Sequence, residues 1–232
     1  MTIIVALGDS TTAGTPLFKS PVEAPPRGEG DETSQFAYWL MQAHPEWDVR
    51  NRGVNGERSD QIAARWDRDV AADSPAAVII IAGVNDVYQG RPAEHVTGQL
   101  RAMYDRAEAA GIPASRIMLL GFSQGACLSL EFSARNARRY GGIACLSGGL
   151  IGPDGTPRDY DGSYAGTPAF LGCSDVDGHV PASRVVESSR VLERMGAAVT
   201  MKLYPGMGHM VNDDEIEHVR AMMEEVLSAS QE

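Results

Sequence analysis

The chain is poor in the features that would mark a secreted, membrane-embedded or nucleic-acid-binding protein. Of its 232 residues only three are cysteines, Cys127, Cys145 and Cys173. They are widely spaced and odd in number, with no Cys-x-x-Cys pair, which excludes a disulfide framework and points to reduced thiols in a cytoplasmic protein. No apolar run approaches the ~20 residues a spanning helix needs. The opening stretch Met1–Leu7 is apolar but lacks a basic leader and runs directly into Gly8-Asp9-Ser10, so it reads as a buried first strand rather than a secretion signal. Positive charge is also scarce, with 20 Lys and Arg against 31 Asp and Glu and a formal net charge of −11. No local Lys/Arg cluster offsets that excess, so neither nucleic acid nor an anionic membrane is an expected partner. The five histidines show no ligand spacing with Asp or Glu on a common helix face, and no metal site is expected.

What is present is a regular alternation. Short β-rich apolar runs at 2–8, 47–52, 77–82, 116–121, 142–147, 168–172 and 199–204 are separated by stretches with helical periodicity: Gln35–Ala43, Asp60–Ala71, Glu94–Ala110, Ala126–Arg138, Ser183–Met195 and Asp213–Leu227. That pattern predicts a three-layer α/β/α sandwich with a mostly parallel sheet of about seven strands, and the length suits one domain over 1–232. Two stretches interrupt the rhythm and read as loops, Thr15–Thr33, rich in Pro and Gly, and Gly148–Thr167, rich in Gly, Pro and Asp.

Two serine signatures occur. In the front half, Gly8-Asp9-Ser10, Asn51-Arg52-Gly53-Val54-Asn55-Gly56 and Gly83-Val84-Asn85-Asp86 each follow one of the first three strands, so they project from one sheet edge. These blocks resemble the SGNH, or GDSL-type, esterases over roughly residues 1–110. The resemblance implies Ser10 as nucleophile, with the backbone of Ser10 and Gly56 and the side chain of Asn85 as an oxyanion hole. The late Asp-x-x-His that supplies that family's base does not occur anywhere in the sequence. Without a base, a serine hydroxyl is a weak nucleophile at neutral pH.

The second signature is Gly121-Phe122-Ser123-Gln124-Gly125, between an apolar run and a helix-prone stretch, where a nucleophile can be exposed on a sharp strand-to-helix turn. An acidic segment, Asp175-Val176-Asp177-Gly178-His179-Val180-Pro181, follows a later strand, and Pro205-Gly206-Met207-Gly208-His209 follows the last. From about residue 106 onward the chain is similar to the phospholipase/carboxylesterase branch of the α/β-hydrolases. The resemblance implies a triad of Ser123, His209 and an Asp. Asp177 is favoured because Asp177-Gly178-His179-Val180-Pro181 resembles the family's Asp-Pro-x-Val-Pro, and Asp175 is the alternative acid.

The chain thus reads as a hybrid, a flavodoxin-like front continuing into an α/β-hydrolase rear, with an expected strand order of 2-1-3-4-5-6-7. Such an order places the Gly83–Asp86 loop beside Ser123, so that Asn85 or a neighbouring backbone N–H joins the Gln124 N–H as oxyanion donor. The expected activity is hydrolysis of short-chain carboxylic esters through an acyl-enzyme on Ser123, with a small-molecule ester as the partner and no cofactor. Two alternatives remain: an esterase using Ser10, and a folded but catalytically silent hybrid.

Overall fold

The computed structural model describes residues 1–14 and 32–228. The expected loop Thr15–Thr33 therefore lies, except for its last two residues, outside the described residues. All seven expected strands form: β1 (Thr2–Gly8), β2 (Trp47–Gly53), β3 (Ala77–Ile81), β4 (Met118–Phe122), β5 (Gly142–Leu146), β6 (Pro168–Ser174) and β7 (Ala198–Tyr204). The helices are α1 (Ser10–Ala13), α2 (Phe36–Ala43), α3 (Ser59–Ala64), α4 (Trp66–Asp69), α5 (Val84–Tyr88), α6 (Ala93–Ala109), α7 (Gln124–Arg135), α8 (Ala182–Arg194) and α9 (Asp213–Ser228).

The strands build two parallel sheets, β2-β1-β3 and β4-β5-β6-β7, rather than the single seven-stranded sheet expected. The crossover rule fixes the hand of a connection between parallel neighbours but does not oblige two strands to pair, and the expected β3–β4 ladder rested on extending it across Gly83–Ile117. Side-chain burial follows the observed division. The central strand β5 is buried throughout and β1 is buried from Ile4 onward, whereas β3 is half-buried along its length and Leu120 and Phe122 on β4 are 50% and 42% exposed. The chain accordingly forms two compact units, Met1–Ile112 and Pro113–Glu232.

In the first unit, Ile4, Ala6 and Val49 pack with Ala37 of α2, and Phe36, Leu40 and Met41 complete that layer. Because side chains alternate along a strand, the buried Val5 and Leu7 serve the opposite face. The expected helix Asp60–Ala71 is broken into α3 and α4 at Arg65. The Arg65 guanidinium turns away to bind Glu57 at 2.8 Å, the Arg52 carbonyl at 3.1 Å and the Gly8 carbonyl at 3.3 Å. The short helix α5 was not evident from periodicity. It carries the buried Asp86, whose two carboxylate oxygens each accept a 2.7 Å hydrogen bond from Ser59, one from its backbone N–H and one from its hydroxyl.

In the second unit, α9 lays Val219, Met222 and Met223 against Ala144, Leu146 and Phe170. The alternate residues Ile143, Cys145 and Leu171, fully buried, take the face served by α7 and α8. The segment Gly148–Thr167 is more than a solvated loop. Leu150 and Tyr164 are buried, the Tyr164 hydroxyl lies 2.8 Å from Ser133 Oγ, and Arg158 and Arg184 donate to the Leu150 carbonyl at 3.3 and 3.2 Å.

Candidate active site

The second unit gathers three of the expected site residues at the carboxyl ends of β4, β6 and β7. Ser123 follows β4 directly and precedes α7. Its backbone has φ 56° and ψ −119°, a conformation that costs a residue with a side chain strain energy and exposes the hydroxyl at the turn. Gly121 permits that turn, since a Cβ there would lie 2.1 Å from the Gly125 carbonyl carbon and 2.4 Å from the Ala126 nitrogen. Gly125 is different, because a Cβ added to it meets nothing within 4 Å. The Ser123 N–H donates to the Leu146 carbonyl at 2.9 Å, extending the β4–β5 ladder, and the Cys127 N–H donates to the Ser123 carbonyl at 3.0 Å, closing the first turn of α7. Gln124 opens α7, so its N–H belongs to the set that has no intrahelical acceptor.

His209 lies past β7 in a turn carrying two left-handed glycines, Gly206 (φ 67°) and Gly208 (φ 79°). The last residue of β6 and the one after it hold that turn. Asp175 Oδ1 accepts from the Gly206 N–H at 2.8 Å, and Ser174 Oγ accepts from the Gly208 N–H at 3.0 Å. Beyond it, Asn212 and Glu215 bond each other's backbone N–H groups, both at 2.9 Å, a reciprocal cap at the start of α9. Glu215 is buried over Gly172, where a Cβ would lie 2.2 Å from Glu215 Oε1.

The His209 Nε2 atom is 2.9 Å from Ser123 Oγ, and His209 Nδ1 is 2.7 Å from Asp177 Oδ2. The Asp177 side chain is fully buried and the imidazole is 20% exposed. Asp177 Oδ1 accepts from the backbone N–H groups of His179 at 2.7 Å and Val180 at 2.9 Å, and the Cys173 thiol reaches Oδ2 at 3.7 Å. Burial alone would raise the Asp177 pKa, but the bonds from His209 and from the Val180 and His179 N–H groups outweigh it and hold the carboxyl well below the usual range. An ionised carboxylate can only accept, so Nδ1 carries the proton and Nε2 is left as acceptor for the serine hydroxyl.

Of the two candidate acids, Asp177 is the one beside the imidazole, while Asp175 pins the turn that presents it. The remaining expected residues belong to the first unit. Ser10 is exposed at the start of α1, where the buried Asp9 caps the helix by accepting from the Thr11 N–H at 2.9 Å. Among the described residues no histidine is bonded to Ser10. Gly56 adopts φ 77°, and Asn85 Nδ2 donates to the Glu57 carbonyl at 2.9 Å, engaging one of its two amide protons within that unit. Asp60, Asp86 and His95 bring possible metal-ligand atoms within 4.8 Å of one another. The Asp86 oxygens are engaged by Ser59 and those of Asp60 by Arg58 at 3.0 and 3.2 Å, so these carboxylates already have partners.

Two aromatic neighbours of the imidazole were not singled out from sequence. The Phe122 ring centre lies 5.0 Å from that of His209, and the His179 ring centre 4.5 Å from it. The available signal was position: Phe122 is inside the serine pentapeptide and His179 inside the acid-bearing segment.

Comparison with known proteins shows what the chain is similar to. Acyl-protein thioesterase 1 of Gibberella zeae is 34% identical over 122 residues, 50% of this chain and 51% of that protein. A probable carboxylesterase of Oryza sativa is 29% identical over 133 residues, 57% and 50% of the two chains. The chain spans about half the length of the curated relatives it matches. The crystal structure of a phospholipase/carboxylesterase from Dyadobacter fermentans is 29% identical, with a TM-score of 0.60 over 96% of this chain and 89% of that one. Residues 6–165 match the family model for GDSL-like lipases and acylhydrolases, and the chain belongs to that family.

Proposed function

We propose that the protein is a serine esterase that hydrolyses short-chain carboxylic esters, small soluble molecules, through an acyl-enzyme on Ser123. The observation that carries this reading is the unbroken chain of contacts from Ser123 Oγ to His209 Nε2 at 2.9 Å and from His209 Nδ1 to Asp177 at 2.7 Å. As Oγ attacks the ester carbonyl, its proton passes to Nε2, and the imidazolium is stabilised by the buried Asp177 carboxylate. The Gln124 N–H, at the start of α7, is placed to donate to the oxyanion that forms beside Ser123. Collapse of the tetrahedral intermediate expels the alkoxide, which takes the Nε2 proton and leaves as the alcohol. Water then gives a proton to the neutral imidazole as it attacks the acyl group, and the acid departs as Ser123 recovers its hydrogen.

The comparison of Ser123→Ala with Ser10→Ala tests this assignment, with turnover of p-nitrophenyl acetate and labelling by a fluorophosphonate as readouts. Both signals should vanish in Ser123→Ala and survive in Ser10→Ala. The reverse pattern transfers the role to Ser10, and absence of both signals in folded wild-type protein means a silent scaffold.

We also infer that the chain joins an SGNH-like segment, about 1–110, to a carboxylesterase-like segment, about 111–232, as one α/β domain. The boundary between the two compact units at Ile112/Pro113 supports the position of the junction. A single cooperative thermal transition is expected, and two separated calorimetric peaks would contradict the single domain. The three cysteines are unpaired, in keeping with a cytoplasmic protein.

A further inference from the structure

The imidazole of His209 has two rotatable bonds, and Asp177 fixes only one edge atom of the ring, Nδ1. A base that must present Nε2 to Ser123 in the ground state, and to a leaving group later, also needs its ring plane fixed. Two rings lie against it. Phe122 contributes one, with centroids 5.0 Å apart and the planes inclined by 34°, and His179 the other, at 4.5 Å and 57°. Both separations fall in the range where aromatic faces and edges attract. Neither ring is accounted for by the core of the second unit, since Phe122 is 42% exposed and His179 is an exposed residue.

The backbone explains how each reaches the base. Phe122 is the last residue of β4 and immediately precedes Ser123, so the strained turn that exposes the hydroxyl also sets the start point of this ring. His179 is tied by its own N–H to Asp177 Oδ1 at 2.7 Å, so the carboxylate that bonds one edge of His209 also anchors the residue whose ring lies against that base. The acid, the base and the two rings therefore form one connected set.

We propose that Phe122 and His179 are positioning residues that brace the His209 imidazole, acting through ring contact rather than by touching the ester. The inference rests on the assignment of Ser123 and His209 as nucleophile and base. The brace acts on the fraction of molecules in which Nε2 faces Ser123, and so on the chemical steps. A residue that instead lined the acyl or alcohol subsite would act on substrate affinity.

The test uses the full chain with p-nitrophenyl acetate, together with the rate of fluorophosphonate labelling at Ser123. In His179→Ala and in Phe122→Ala, kcat should fall about two- to tenfold, the range an aromatic contact is worth, while KM stays within about twofold. Labelling should slow by the same factor in each. His179→Phe, which restores a ring without ring nitrogens, should regain at least half of the lost rate. Either alanine variant at wild-type kcat overturns the brace, as does a raised KM at constant kcat, which marks a substrate contact. A His179→Phe variant no faster than His179→Ala also overturns it, since the nitrogens rather than the ring would then matter. If wild-type protein neither turns over the ester nor labels at Ser123, it is the esterase assignment that has failed, a result distinct from all of these.

Discussion

Replacement of Asp177 by Asn alters few atoms, and the structure dictates how the new amide must sit. Asp177 Oδ1 receives two backbone N–H groups, from His179 at 2.7 Å and Val180 at 2.9 Å. An NH2 group at that position would oppose donor to donor twice, so the oxygen of the new amide keeps this place and its NH2 turns to His209 Nδ1. The imidazole must then accept at Nδ1 and carry its proton on Nε2, facing Ser123 Oγ 2.9 Å away. In that tautomer it cannot take the serine proton. A wrong tautomer in a triad of this type costs about 10⁴ in kcat, or roughly 5 kcal/mol of barrier. Since both backbone hydrogen bonds survive, the variant should fold, with its melting temperature lowered by the stability that the ionised Asp177 carboxylate contributes. Steady-state hydrolysis of p-nitrophenyl acetate with active-site titration measures the effect. Asp175→Asn is the control: Oδ1 remains available to the Gly206 N–H at 2.8 Å, and kcat should stay within about threefold. An Asp177→Asn enzyme within tenfold of wild type, or a collapse of rate on Asp175→Asn alone, refutes the reasoning.

The two glycines of the serine pentapeptide should respond with opposite sign. Gly121→Ala forces a Cβ to 2.1 Å from backbone and should cost about 1–3 kcal/mol or more, whereas Gly125→Ala enters open space in a helix and should gain up to about 1 kcal/mol, both read from urea unfolding. The depressed pKa of Asp177 contributes stability that is present above the ordinary carboxyl value of 3.8 and is lost as pH falls through the lower folded value. The gap in urea midpoint between wild type and Asp177→Asn should therefore be constant near neutrality and narrow only below about pH 4. A gap that instead closes between pH 8 and 6 would rule out Asp177 as its source. Burial pushes the Cys173 thiol up to about 11 and the Cys145 thiol well above its ordinary value. At pH 8 a disulfide reagent should thus modify no more than one thiol, that of the half-buried Cys127, until denaturant exposes all three.

The sequence by itself determined the strands, most of the helices and the chemistry on offer. Short β-rich apolar runs marked every strand, and the pentapeptide around Ser123 marked the turn, because strand, helix and tight turn are decided by interactions a few residues apart. It also supplied a serine, a histidine and two aspartates in hydrolase order, but two residues apart in one loop Asp175 and Asp177 are chemically alike. Resemblance favoured Asp177 and left Asp175 as the alternative, and the tertiary structure, through the ladder of β6 with β7, decides which carboxylate faces His209 and which faces Gly206. The same holds for the division into two sheets and for the rings of Phe122 and His179 against the base. Strand pairing and ring contact join residues dozens of positions apart, and no local pattern records which distant partner each will meet.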